Sequence, residues 1–106
     1  MNLVEEIYNL VELFPKNEVY GITSQICRAA VSIPSNIAEG ASRNSDLEFK
    51  RYLEISMGSA FEVETLLEIS LRRNYLSQQK YDELKSDLTL LEKQLNTFIS
   101  KLNPKK

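Results

Sequence analysis

Apolar residues recur every three or four positions along most of this 106-residue chain, the signature of helices that each bury one face. Leu3, Ile7, Leu10 and Phe14 form the first such stripe. Pro15 ends it, because the residue before a proline is pushed out of the helical region. Val19, Ile22, Ile26, Ala29, Ile33 and Ile37 form the second, with Gly40 placed as a C-terminal cap. Pro34 lies inside this stripe, removing one backbone donor and crowding the carbonyl of Ala30, so a kink is expected there rather than two helices.

The third segment opens at Ser45-Asp46-Leu47-Glu48, a capping box with an acidic first turn. Its apolar residues fall on two stripes. Phe49, Leu53, Ala60, Val63, Leu67 and Leu71 make one; Leu47, Ile55, Phe61, Leu66 and Ile69 make the other. A helix apolar over so wide an arc is either central or shared with another subunit. After a turn at Asn74-Tyr75-Leu76 and a cap at Ser77, the seam Tyr81, Leu84, Leu88, Leu91, Leu95, Phe98 and Leu102 runs unbroken to a frayed Pro104-Lys105-Lys106 tail.

These stripes predict helices over 2–14, 18–39, 45–73 and 77–102 within one domain spanning 1–106. Short connections make sequential helices antiparallel neighbours, so the fold class is all-α, an antiparallel up-down-up-down four-helix bundle with a shortened first helix and a Pro34 kink. The first helix spans roughly 18–20 Å and the third roughly 40 Å, at 1.5 Å per residue. One bundle edge is therefore left uncovered, beside the C-terminal end of the second helix and the start of the third. Subunit contacts are the economical way to shield it.

Composition narrows the chemistry. Hydrophobic residues make up 42% and charged residues 26%, with 3 Gly and 3 Pro, as expected of a soluble helical domain. No apolar run is long enough to span a bilayer, the N-terminus has no signal-peptide pattern, and Cys27 has no disulfide partner; a cytoplasmic protein with no membrane association is expected. The absence of histidine excludes serine–histidine and cysteine–histidine catalysis and His-based metal sites. No enzyme activity and no cofactor are expected.

The net charge of −2 gives no global pull toward nucleic acid. It is uneven, with four Glu against one Lys over 1–18 and six Lys against four acids over 74–106, but such runs usually solvate helix faces. Two local groupings stand out. Gln25, Arg28, Ser32, Asn36 and Glu39 share one face of the second helix, and with Ser35 they face Arg51, Glu54, Ser59 and Glu62 on the third. A polar stripe on an apolar helix must meet water, another polar stripe or a ligand. The plain reading is an interhelical network that fixes register, with Asn36 and Ser35 satisfying backbone near Pro34. The functional reading is an anion or nucleic-acid site with Arg28, Arg43, Lys50 and Arg51 as its cations, the last three flanking the free donors at the start of the third helix. Gly58-Ser59-Ala60 is read as permitting close helix approach, Arg72-Arg73 as complementing the helix dipole, and Cys27 as a packed thiol despite its neighbour Arg28.

The string from Phe14 through Gly40, above all Ser32-Ile33-Pro34-Ser35-Asn36-Ile37-Ala38-Glu39-Gly40, resembles the bacterial four-helix bundle proteins named after intervening sequences in 23S ribosomal RNA. Phe49, Tyr52-Leu53, Ser56-Met57-Gly58-Ser59-Ala60 and Glu62 match the same family's third helix. The resemblance implies a homopentamer, with kinship to retroelement accessory pentamers that bind nucleic acid and a reverse transcriptase. Two departures are visible. The family's further dozen residues before the position of Leu3 are absent, and Cys27-Arg28 stands where the family often has two arginines. Two functions stay open: a non-enzymatic oligomeric adaptor or accessory protein for structured RNA, DNA or a ribonucleoprotein, and a structural or protein-partner-binding module with no nucleic-acid role.

Overall fold

A computed structural model describes residues 2–102. Four helices follow in order: α1 (Asn2–Val11), α2 (Ile22–Ala41), α3 (Asp46–Arg72) and α4 (Gln78–Leu102), with a short 3₁₀ turn at Lys16–Glu18 between α1 and α2 and no strand among the described residues. The Pro104–Lys106 tail lies outside them. The molecule measures 48 × 24 × 19 Å, its long dimension set by α3 and α4. No helix among the described residues is long and apolar enough to cross a membrane.

Two boundaries differ from the stripe reading. The first helix stops at Val11, not at residue 14. Leu13 and Phe14 instead donate to the carbonyls of Leu10 and Val11, three residues back, so the chain tightens before Pro15, as the restriction ahead of a proline demands. Phe14 stays buried all the same, because this turn swings its ring onto Tyr75, 5.3 Å away. The second helix begins at Ile22, not residue 18; Glu18 ends the Lys16–Glu18 turn, and residues 19–21 continue as a turn before the helix starts. Glu18 marks the seam between these pieces. Tyr75 Oη donates to Glu18 Oε2 at 2.7 Å, and the Ile22 amide donates to Glu18 Oε1 at 3.4 Å.

These bonds, the Tyr75 hydroxyl first and the Ile22 amide next, hold the Glu18 carboxyl below its ordinary value of 4.5. A lowered acid contributes stability above its unfolded value and loses it as pH falls. Tyr75→Phe should therefore lower the thermal midpoint at pH 7, with the difference from the parent shrinking toward pH 3. A difference unchanged across that range would count against this account.

Helix ends elsewhere use local chemistry. The Glu48 amide donates to Ser45 Oγ at 3.1 Å, and the Lys80 amide to Ser77 Oγ at 3.1 Å, each satisfying a donor left free at a helix start. At the C-terminus of α3, Asn74 takes a positive φ of 65°. Asn74 and Tyr75 donate back to Leu71 and Ser70, both at 2.9 Å, which is a Schellman closure with Asn in the left-handed position. Gly40, expected to cap α2, does not. The helix runs through it to Ala41, and no glycine has a positive φ.

The main core gathers Ile7, Leu10, Ile26, Ala30, Ile33, Ala60, Val63, Leu67, Leu84 and Leu88 among others, drawn from all four helices. On α3 one of the two stripes points inward: Leu53, Ala60, Val63 and Leu67 have no exposure. Of the other stripe only Leu66 is buried. Beyond the reach of α1 the packing thins. Leu53 and Leu95 are buried outside the main cluster, and Phe49 meets Phe98 edge-on at 5.1 Å.

Candidate functional site

The two polar groupings come together along the α2–α3 seam. Pro34 sits within a single uninterrupted helix, so the polar face of α2 reaches α3 as one surface. Ser32 Oγ lies 2.7 Å from Ser59 Oγ. Asn36 Nδ2 donates to the Ser32 carbonyl at 2.8 Å and to Ser32 Oγ at 2.9 Å. One layer deeper, Ser56 Oγ donates to the Ile33 carbonyl at 2.9 Å. Sequence number rises along α2 as it falls along α3 in these pairs (32 with 59, 33 with 56). Gly40 continues the series against Tyr52 and Phe49.

Shallow hollows lie to either side of this ladder. Gln25, Arg28, Ala29, Ser32, Ser59 and Glu62 line one of about 190 Å³. Arg43, Glu48, Arg51, Tyr52 and Ile55 line the other, of about 330 Å³. In the second, Arg43 pairs with Glu39 one turn back on α2. Its guanidinium also stands 5.2 Å from the centre of the Tyr52 ring, within cation–π range. A guanidinium held by a carboxylate on one side and a ring on the other is positioned before any ligand arrives. Exposed Arg51 completes the hollow with no ion pair among the described residues, while the Glu48 carboxylate partly offsets the two cations.

The remaining predicted residues are placed less centrally. Arg28 lines the other hollow and reaches Ser24 at 3.4 Å on its own helix. Lys50 is half-buried and engaged with neighbouring groups. Ser35 and Glu54 are exposed and stand apart from the ladder. The ladder is thus narrower than the stripe suggested: Ser32, Asn36 and Ser59, with Gln25 and Glu62 at its border and Glu39 committed to Arg43. Burial pushes the Cys27 thiol above its ordinary value, which suits a packed group and not a nucleophile. Among the described residues no cluster of three or more Cys, Asp or Glu could hold a metal ion.

Two contributors were not singled out from sequence. Ser56 has no exposure, and it stands where the row Leu53, Ala60, Val63, Leu67 calls for an apolar side chain; a hydroxyl there must find a partner. Tyr52 gave no such signal, since its role depends on where Arg43 arrives from the preceding loop.

The model of the 23S rRNA-intervening sequence protein family matches residues 1–97. A crystal structure of a protein of unknown function, from the S23 ribosomal protein family of Bacteroides thetaiotaomicron, shares this fold with a TM-score of 0.84. It is 30% identical in sequence, over 92% of each chain. No curated protein matches.

Proposed function

Since the chain belongs to the 23S rRNA-intervening sequence protein family, we propose that it is a non-enzymatic, homo-oligomeric accessory or adaptor protein that contacts the phosphates of structured RNA, alone or within a ribonucleoprotein. The observation that carries this reading is the Arg43–Tyr52–Arg51 hollow beside the start of α3. It offers one preset guanidinium and one with no ion pair among the described residues, near the positive end of a long helix's dipole, a combination that suits a phosphate. A net charge of −2 keeps any single site weak. Repetition around an assembly, five times in the pentamer that the family resemblance implies, turns weak sites into useful avidity.

Fluorescence anisotropy with a labelled RNA hairpin tests it. Affinity is expected to fall by roughly an order of magnitude or more between 50 and 200 mM salt, as counterion release requires. The double variant Arg43→Glu/Arg51→Glu, with helicity checked by circular dichroism, should lose at least as much at fixed salt. Absence of binding at 50 mM salt, or equal affinity of the double variant, would overturn the reading.

A second reading, a module that binds protein and no nucleic acid, draws on the apolar row left outside on α3, where Leu47, Ile55, Phe61 and Ile69 are all exposed. Stoichiometric co-purification of one unlike protein, free of nucleic acid, is the result that would favour it.

A further inference from the structure

Charge is divided along α4. In its first half Lys80 pairs with Glu83 at 3.8 Å and Gln78 donates to Asp82 at 3.0 Å, the mixed pattern of a solvated helix face. Its second half has no such partners. Of the 13 Lys and Arg and 15 Asp and Glu, residues 93–106 hold four lysines and no acid, which leaves nine cations against 15 acids before them. The nearest acid, Glu92, turns instead to Glu64 on α3. Lys93 and Lys101 are exposed and make no ion pair among the described residues.

Between these two lysines an aromatic ring meets solvent. Phe98 is 39% exposed, while Phe49 packs edge-on to it at 5.1 Å and fixes its setting. With Gln94 and Thr97, the ring and the two lysines line a shallow hollow of about 450 Å³. The lysines stand two turns apart, about 12 Å along the helix axis. A fixed ring flanked by cations that have no carboxylate is the combination used to hold single-stranded nucleic acid: bases of any kind stack on the ring, and phosphates meet the cations. The hollow also lies at the same end of the molecule as the Arg43–Tyr52–Arg51 site. Phe49 belongs to the opening turns of α3, from which Glu48, Arg51 and Tyr52 of that site also arise.

We propose that the Lys93–Phe98–Lys101 face of α4 holds an unpaired stretch of the bound RNA, with a base stacked on the Phe98 ring and the flanking phosphates against the two lysines. The inference rests on the RNA reading above and adds the class of nucleotide that is held beside the duplex.

The test is fluorescence anisotropy at low salt with two labelled RNAs, a blunt hairpin and the same hairpin carrying a single-stranded tail of roughly eight nucleotides. The parent is expected to bind the tailed RNA at least about fivefold more tightly, the worth of one stacked base. Phe98→Leu, which keeps an apolar contact for Phe49, and Lys93→Gln/Lys101→Gln should each lose that gain. Phe98→Tyr should keep it. The lysine variant should also lower the salt slope for the tailed RNA by about 2. In Arg43→Glu/Arg51→Glu both affinities should fall while their ratio stays. 2-Aminopurine placed in the tail should dim on binding to the parent and stay bright with Phe98→Leu. A tail that adds nothing, or a gain that survives both α4 variants, overturns this face and leaves the Arg43–Arg51 site standing. A parent that binds neither RNA overturns both. Polyglutamate that cancels the gain as readily as an oligouridylate of equal charge would reveal a surface for acidic peptides and overturn the base contact.

Discussion

Gly40→Ala is expected to destabilise the protein by about 1 kcal/mol net, from an overpacking cost of about 2 kcal/mol at a filled contact, and to lower the thermal midpoint by roughly 5 °C. The added Cβ would stand 2.7 Å from Tyr52 Cβ, 2.8 Å from Phe49 Cδ1 and 3.3 Å from the Phe49 carbonyl oxygen. A flexible side chain could swing away; a Cβ and a carbonyl move only with the backbone of α3. Alanine's better helix propensity returns close to 1 kcal/mol, so the net loss is smaller than the clash alone, and Gly40→Val should be worse. The damage would also reach the candidate site. Phe49 is packed edge-on to Phe98, and Tyr52 is the ring under Arg43, so prising α2 from α3 here disturbs the preset guanidinium. Urea denaturation measures the first effect and RNA anisotropy the second. If Gly40→Ala proves as stable as the parent, close approach at this point is not what holds the α2–α3 end together.

Gly40 also shows what kind of information the sequence carries. Its position near the end of an apolar stripe made a cap the natural reading, because capping is decided by residues three or four apart. The helix continues past it because the requirement is set by Phe49 and Tyr52, on another helix. The same division explains the other outcomes. The four helices, the Ser45 and Ser77 caps and the inner stripe of α3 depend on neighbours in sequence, and periodicity reveals them. The end of α1 at Val11 and the left-handed Asn74 depend on turn geometry, which the stripe alone does not set. At the candidate site, the polar face of α2 was legible as a face, yet its division into a ladder of Ser32, Asn36 and Ser59 and a separate Arg43–Glu39 pair depends on the rotation of α3 against it. Ser56 was readable in principle, as a hydroxyl interrupting an apolar row. Gly58, read as permitting close helix approach, was not: a Cβ built on it meets nothing within 4 Å, and whether a small residue faces a helix or open space is a fact about a surface.

The largest pH effect should come from a residue that no stripe singled out. Glu92, on the core side of α4, has one carboxylate oxygen, Oε2, shut away from solvent with no hydrogen-bond partner among the described residues. Burial first, then a proton shared with Glu64 across on α3 and the charge of Glu64, push its carboxyl from the ordinary 4.5 up to about 7, against a smaller pull from Lys85. An acid whose folded value is raised binds more protons in the native state than in the unfolded chain across that interval. Stability should therefore decline as pH rises from about 4.5 to about 7 and level off above. Glu18 has the opposite sign and acts below 4.5, so the two together place the stability maximum in mildly acid solution. Glu92→Gln keeps the shape of the protonated acid and removes the titration. It should match the parent near pH 5 and exceed it at pH 8 by about 1–2 kcal/mol, a figure already reduced for the solvent that reaches this half-open side chain. Glu64→Gln should flatten the same slope from the other side by removing the neighbouring charge. Urea titrations at pH 5, 6, 7 and 8 read both. Parallel pH profiles for the parent and Glu92→Gln would mean that the α3–α4 seam admits enough water to ionise Glu92 freely.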